Sequence, residues 1–346
     1  MPRLAITSLF VLCLLALPIS LNAQDTCSPE DACLEVAAVP AEVIAAYPAP
    51  AVIQLQPDDA LIFDRNYQRV NGAVEIFDAP NGNLVRTLDA GFNFVTAGSD
   101  EGGWTRINPG EYVRSEVLSP AVVSRFSGVF LPEMLPFPMA WILVPVVPSP
   151  TPGAEPPEGG VMLHRYTRVN LYTEVEVNGW TWYQVGPDQW VEQRLIAKVM
   201  PVERPAEVDT ERWISVDLYE QVLVAYEGTR PVFATLISSG LPEWPTNEGI
   251  FNIYVRYDRT PMSGAEGQED FYSLEEVPWT MYYDDQIGLH GTYWHDGFGY
   301  RHSHGCVNLS ITDAHWLYQW SSTEFDFTIP NDKGAAVYVY SSGEYR

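Results

Sequence analysis

The chain has 346 residues and carries 45 Asp and Glu against 19 Lys and Arg, a formal charge of −26. That balance excludes nonspecific nucleic-acid binding, which needs clustered cations. The acids form no long runs, so they read as a dispersed solvating surface. With 46% hydrophobic and 13% aromatic residues the chain can fold, and its length predicts two or three domains.

The first element is an export signal over residues 1–23. Arg3 supplies the positive start, Leu4 to Leu17 the apolar stretch, and Ala23 a small residue before the cut. The stretch is short for a bilayer span, so cleavage is favoured over a retained anchor. The expected location is therefore the cell envelope, periplasm or exterior. Residues 24–56, rich in Ala, Pro and acids, read as a tether. Cys27 and Cys33 are close enough in sequence to form a local disulfide in an oxidising compartment, which leaves Cys306 as the odd thiol.

From residue 57 to 203 the text is all-β, with short alternating runs broken by Gly, Asn, Asp and Pro. One passage occurs twice. Gly103-Trp104-Thr105 precedes Tyr112-Val113, and Gly179-Trp180-Thr181 precedes Trp190-Val191. This hairpin resembles the end of bacterial SH3-like modules, which implies small β-barrels over 57–120 and 161–203. Between them, 121–160 reads as a Pro-rich linker, stiffest from Pro145 to Gly159. A last domain is expected over 208–342. Its strands are Trp213–Leu218, Gln221–Tyr226, Pro231–Ser239 and Ile250–Val255. Thr260–Asp270 reads as a loop able to act as a flap. One helix is expected after Ser310, with Asp313 completing a capping box and Ala314, Leu317 and Trp320 on one face.

The chemistry concentrates in Ser303-His304-Gly305-Cys306-Val307-Asn308 and in His290-Gly291-Thr292 upstream. A thiol of ordinary pKa is mostly protonated at neutral pH, so a nucleophilic cysteine needs a base in reach. His290, His295, His302, His304 and His315 are candidates, and a buried inert cysteine is the competing reading. In an extended segment His304 and Cys306 project to one side, so local spacing favours His304. Gly291 and Gly305 leave bare backbone amides of the kind an oxyanion requires.

These two motifs, in this order, resemble the catalytic signature of the YkuD family of L,D-transpeptidases. Trp213-Ile214-Ser215-Val216-Asp217-Leu218, Pro245-Thr246, Gly249-Ile250-Phe251 and Val277-Pro278-Trp279 extend the likeness over about 130 residues. The resemblance implies a mostly β sandwich with one or two short helices, preceded by the SH3-like modules. It implies Cys306 as nucleophile and His290 as proton donor and acceptor, oriented by the Gly291 carbonyl. Backbone amides of His304, Gly305 and Cys306 are expected to form the oxyanion hole, with Ser303 bonded within the site. Asn308, Trp294 and Tyr293 are expected to touch substrate, and Tyr293, Trp294, Phe298 and Tyr300 to form an apolar wall.

The reaction implied is attack on the bond between the third residue of a peptidoglycan tetrapeptide stem and its terminal D-alanine. A Cys thioester then passes to an acceptor amine, giving a 3→3 crosslink, or to water, giving L,D-carboxypeptidase activity. Carbapenems are expected to acylate the same thiol, and the SH3-like modules to bind the cell wall. No metal or other cofactor is implied; a zinc site would need paired short His or Cys spacings that His290, His295, His302, His304 and Cys306 do not show. A non-catalytic wall-binding protein is the third alternative.

Overall fold

In the computed structural model, residues 38–324 and 333–344 are described. The expected signal, the first part of the tether and both Cys27 and Cys33 lie outside them. The mostly β expectation is borne out, and among the described residues the longest helix is Ile311–Trp320.

Two seven-stranded sheets build the sandwich that holds the site. The first runs Ile53–Gln54, Val129–Phe130, Arg230–Leu236, Val222–Glu227, Arg212–Asp217, Ala336–Tyr340, Gly249–Asn252. The second runs Val307–Leu309, Ile287–Gly291, Tyr272–Asp284, Phe92–Thr96, Tyr67–Val70, Leu118–Pro120, with Val255–Gly264 also paired to Tyr272–Asp284. Period-two alternation distributes the central strands between two cores. Ile214, Val216, Leu223 and Ala225 face Met281, Leu289, Val307 and the helix residues Ala314 and Leu317. Trp213, Val222, Val224 and Tyr226 face the opposite way, toward Phe126, Met139, Trp141 and Leu143. A sheet covered on both faces explains why Arg212–Asp217 reads as a nearly continuous buried run.

That second core corrects the expectation of a linker over 121–160. Val129–Phe130 pairs with Arg230–Leu236 in the first sheet, and Met139–Ile142 lies between Arg168–Asn170 and Ile196–Lys198. Trp141 and Met139 are fully buried, and burial of each such side chain contributes about 2 kcal/mol. The tether is corrected likewise for its described part. Ile53–Gln54 adds to the Val129–Phe130 strand, and the Tyr47 carbonyl accepts from Asn170 and Tyr172.

Both copies of the repeated passage are hairpins with the same sequel. Trp104–Asn108 pairs with Glu111–Arg114, and Trp180–Gly186 with Gln189–Glu192. Each is followed by one 3₁₀ turn and a short strand, and each stacks an arginine (Arg114, Arg194) 4.0 Å from its tryptophan ring. The expected flap loop is also corrected. Val255–Gly264 and Tyr272–Asp284 form a long hairpin paired as far as Gly264 and Tyr272, and only the turn between them is loop.

Candidate active site

The site is set by two parallel strands, Ile287–Gly291 and Val307–Leu309, whose register puts His290 opposite Asn308. His290 and Gly288 share a face, as do Asn308 and Cys306. Cys306, His290 and Asn308 line one cavity of about 440 Å³ together with Trp294, His302 and His304.

The helix after this strand starts where the sequence indicates, since Ser310 Oγ accepts from the Asp313 N–H at 3.1 Å. Asp313 does more than complete a cap. Its fully buried carboxylate accepts from the Gly128 N–H (2.9 Å) and the Thr235 hydroxyl (2.6 Å), tying the helix to the first sheet. Burial pushes this carboxyl up to about 6.

The cysteine loop is held from two sides. Ser303 Oγ accepts from the Gly305 N–H at 3.1 Å and donates to the Cys306 carbonyl. Thr246 Oγ1 donates to the Gly305 carbonyl at 2.7 Å while accepting from the Gly240 N–H. The sequence signalled Pro245-Thr246 only as part of a pattern; the structure makes Thr246 a brace of the Cys306 loop. Gly305 has φ +117°, which favours glycine. Two expectations change as a result. The Gly305 N–H is bonded to Ser303 and is withdrawn from the expected oxyanion set, leaving the His304 and Cys306 amides. The left-handed turn also breaks the period-two alternation that put His304 beside Cys306. His304 instead lies between the rings of Trp244 and Tyr272, its Nε2 3.5 Å from Asp270 of the hairpin turn.

His290 is 2% exposed, and its Nδ1 lies 3.1 Å from the Gly291 carbonyl. That bond fixes the tautomer: Nδ1 carries the proton and Nε2 is the basic nitrogen. Burial lowers the imidazole to about 4, against the opposing effect of the Gly291 bond. Burial also pushes the Cys306 thiol up to about 11, and Sγ lies 3.6 Å from the Gln286 carbonyl as donor. Both groups are therefore neutral at pH 7. The resting pair is a thiol and an imidazole, not a thiolate and an imidazolium.

The sequence offered His295 and His302 only as two of five candidate bases. The structure stacks their rings at 4.0 Å and buries His295 against Asn308. His295 Nδ1 accepts from the Gly297 N–H, so its proton sits on Nε2, which lies 2.9 Å from the Asn308 amide. The matching partner is the amide oxygen, because two N–H groups cannot bond each other. Asn308 is thus oriented from behind by His295. No short-range signal in the sequence joins those two residues.

Trp294 lies where expected, its ring 5.6 Å from His290. Tyr293 does not. It is fully buried, stacked on Tyr67 at 3.7 Å, and its hydroxyl donates to the Glu275 carbonyl. Phe298 is likewise core, and Tyr300 does not line the cavity. Among the described residues no group of three or more His, Cys, Asp or Glu side chains is placed to hold a metal ion.

The chain has known relatives. It is 30% identical over 122 residues to "Putative L,D-transpeptidase YciB" of Bacillus subtilis (strain 168), covering 31% of this chain and 59% of that protein. An Enterococcus faecium L,D-transpeptidase structure is 26% identical, covering 38% of this chain and 50% of its own, with a TM-score of 0.32. An L,D-transpeptidase from Xylanimonas cellulosilytica is 26% identical, covering 40% and 64%, with a TM-score of 0.29. The chain thus spans between half and two thirds of the length of these relatives. Residues 211–339, which hold Cys306, His290 and the strands that carry them, match the family model of the YkuD L,D-transpeptidase catalytic domain.

Proposed function

We propose that the protein is an exported peptidoglycan L,D-transpeptidase that forms 3→3 crosslinks through a thioester on Cys306. The observation that carries this reading is the Nδ1 bond of His290 to the Gly291 carbonyl, which reserves Nε2 as a base in the cavity it shares with Cys306. The family match over residues 211–339 supports the reaction class.

In this reading the Cys306 thiol gives its proton to His290 Nε2 as sulfur attacks the carbonyl of the donor's third stem residue. The oxyanion is held by the amides of His304 and Cys306. Collapse breaks the amide bond, and the leaving D-alanine nitrogen takes the proton back from His290. The acceptor amine then loses a proton to His290, attacks the thioester and expels the thiolate, which is reprotonated. Water in place of the amine gives carboxypeptidase activity by the same steps. The two repeated hairpins support SH3-like modules that bind or space the wall, and the N-terminal residues support export.

Intact mass spectrometry tests the reaction. Incubation with a tetrapeptide stem, and separately with a carbapenem, should add an acyl group to Cys306, and Cys306→Ala should abolish both adducts. Analysis of products with an acceptor amine present separates crosslinking from hydrolysis. A protein that forms neither adduct refutes the reading.

A further inference from the structure

The catalytic cavity is not closed by residues 211–339 alone. Arg69, Gly91 and Phe92, which come from the N-terminal β-unit, also line it. Phe92–Phe94 pairs in parallel with Tyr272–Leu274 of the hairpin, and the Phe92 N–H donates to the Phe271 carbonyl at 2.9 Å. The approach is close enough that a Cβ at Gly91 would fall 2.5 Å from that carbonyl oxygen. Behind the strand, Tyr67 and Phe94 share a core with Leu274, Val277, Ile311 and Tyr293, the residue next to cavity-lining Trp294. Arg65 pairs with Glu276, Arg259 with Asp64, and Asn108 Nδ2 donates to Glu275. The N-terminal unit is therefore a fixed wall of the site.

That wall has one unspent charge. Among the described residues lining the cavity, Arg69 is the only Lys or Arg. It is exposed and carries its guanidinium 5.9 Å from the Phe92 ring, which in turn meets His302. Nearby Arg65 and Arg259 are ion-paired, whereas Arg69 has no such partner among the described residues. The acidic residues lining the cavity are Glu269 and Asp270 on the hairpin turn. In a chain of formal charge −26, a solitary guanidinium over an aromatic face is where an anionic group of a ligand is accepted.

We propose that Arg69 is a specificity-determining residue of the Cys306 cavity, holding a free carboxylate of the bound peptide from the N-terminal β-unit. This rests on the cavity's receiving stem peptides, as set out above. A stem tetrapeptide with lysine as its third residue offers two such carboxylates, one at its C-terminus and one on a γ-linked D-glutamate. Both present the planar geometry that a guanidinium matches with two hydrogen bonds.

The test measures dissociation constants on the full chain carrying Cys306→Ala, with and without Arg69→Gln or Arg69→Lys. The probes are the tetrapeptide L-Ala-γ-D-Glu-L-Lys-D-Ala, its C-terminal amide, its D-isoglutamine form and the doubly amidated peptide. Arg69→Gln should weaken the acid peptide about tenfold. One amidation should erase that difference and so name the carboxylate, and Arg69→Lys should retain more affinity than Arg69→Gln. With Cys306 intact, the substitution should raise KM and leave kcat within twofold. Equal weakening of the doubly amidated peptide, or no preference for acid over amide in the parent protein, overturns the assignment. Failure of the parent protein to acylate refutes the transpeptidase reading instead, and the binding comparison still decides Arg69.

Discussion

The neutral thiol–imidazole pair makes a prediction about Cys306 that local sequence does not. With the thiol pushed up to about 11 from an ordinary 9, the thiolate fraction at any lower pH falls by about 100-fold, because each pH unit is a factor of ten. His290, lowered to about 4, is unprotonated across the neutral range and offers no cation to hold a thiolate. Alkylation of Cys306 by iodoacetamide in the absence of substrate should therefore rise about tenfold per pH unit from 6 to 10, with no plateau. Peptide mapping by mass spectrometry follows Cys306 separately from Cys27 and Cys33. His290→Ala should leave this slope unchanged while abolishing acylation by a stem peptide. A rate independent of pH between 5 and 8 would mean that an imidazolium–thiolate pair pre-exists, and would refute the argument from burial.

Three further outcomes follow from named contacts. Ser303→Ala removes the acceptor for the Gly305 N–H and the donor to the Cys306 carbonyl, and should cost about 2 kcal/mol in urea unfolding; an unchanged midpoint would show that the loop is held elsewhere. For Asp313 the folded pKa is raised from 3.8 to about 6, so the penalty for ionising it is full above pH 6 and is relieved as pH falls toward 3.8. The stability of Asp313→Asn relative to the parent should therefore shift in the variant's favour between pH 4 and pH 7, by at most ~3 kcal/mol, and a difference that is flat with pH would contradict this. Tyr293→Ala should destabilise by about 4 kcal/mol, whereas Trp294→Ala should chiefly weaken peptide binding; the reverse pattern in paired unfolding and binding measurements would restore Tyr293 to the substrate wall.

The strands from Trp213 to Tyr226, the Ser310 cap, and the importance of Cys306 and His290 were legible because each is a short-range pattern. Alternation, a capping serine and a motif with its glycine all act within a few residues of chain. What stayed illegible was whatever depended on a distant partner. Residues 121–143 read as linker because their prolines are visible locally. The strands they pair with, Arg230–Leu236 and Ile196–Lys198, lie tens of residues away. His295 lacked any local mark because its meaning comes from its bond to Asn308, in the strand Val307–Leu309.

Sequence by itself thus determined the candidate reacting groups and the class of fold, since thiol, imidazole and strand periodicity are properties of residues and their neighbours. Tertiary structure decided how the cavity is built. The positive φ of Gly305 breaks the alternation between His304 and Cys306, and burial raises the Cys306 thiol while lowering the His290 imidazole. The parallel pairing of Phe92–Phe94 with Tyr272–Leu274 brings a separate β-unit to the rim. Each of these is set by chain segments far apart in sequence meeting where water is excluded.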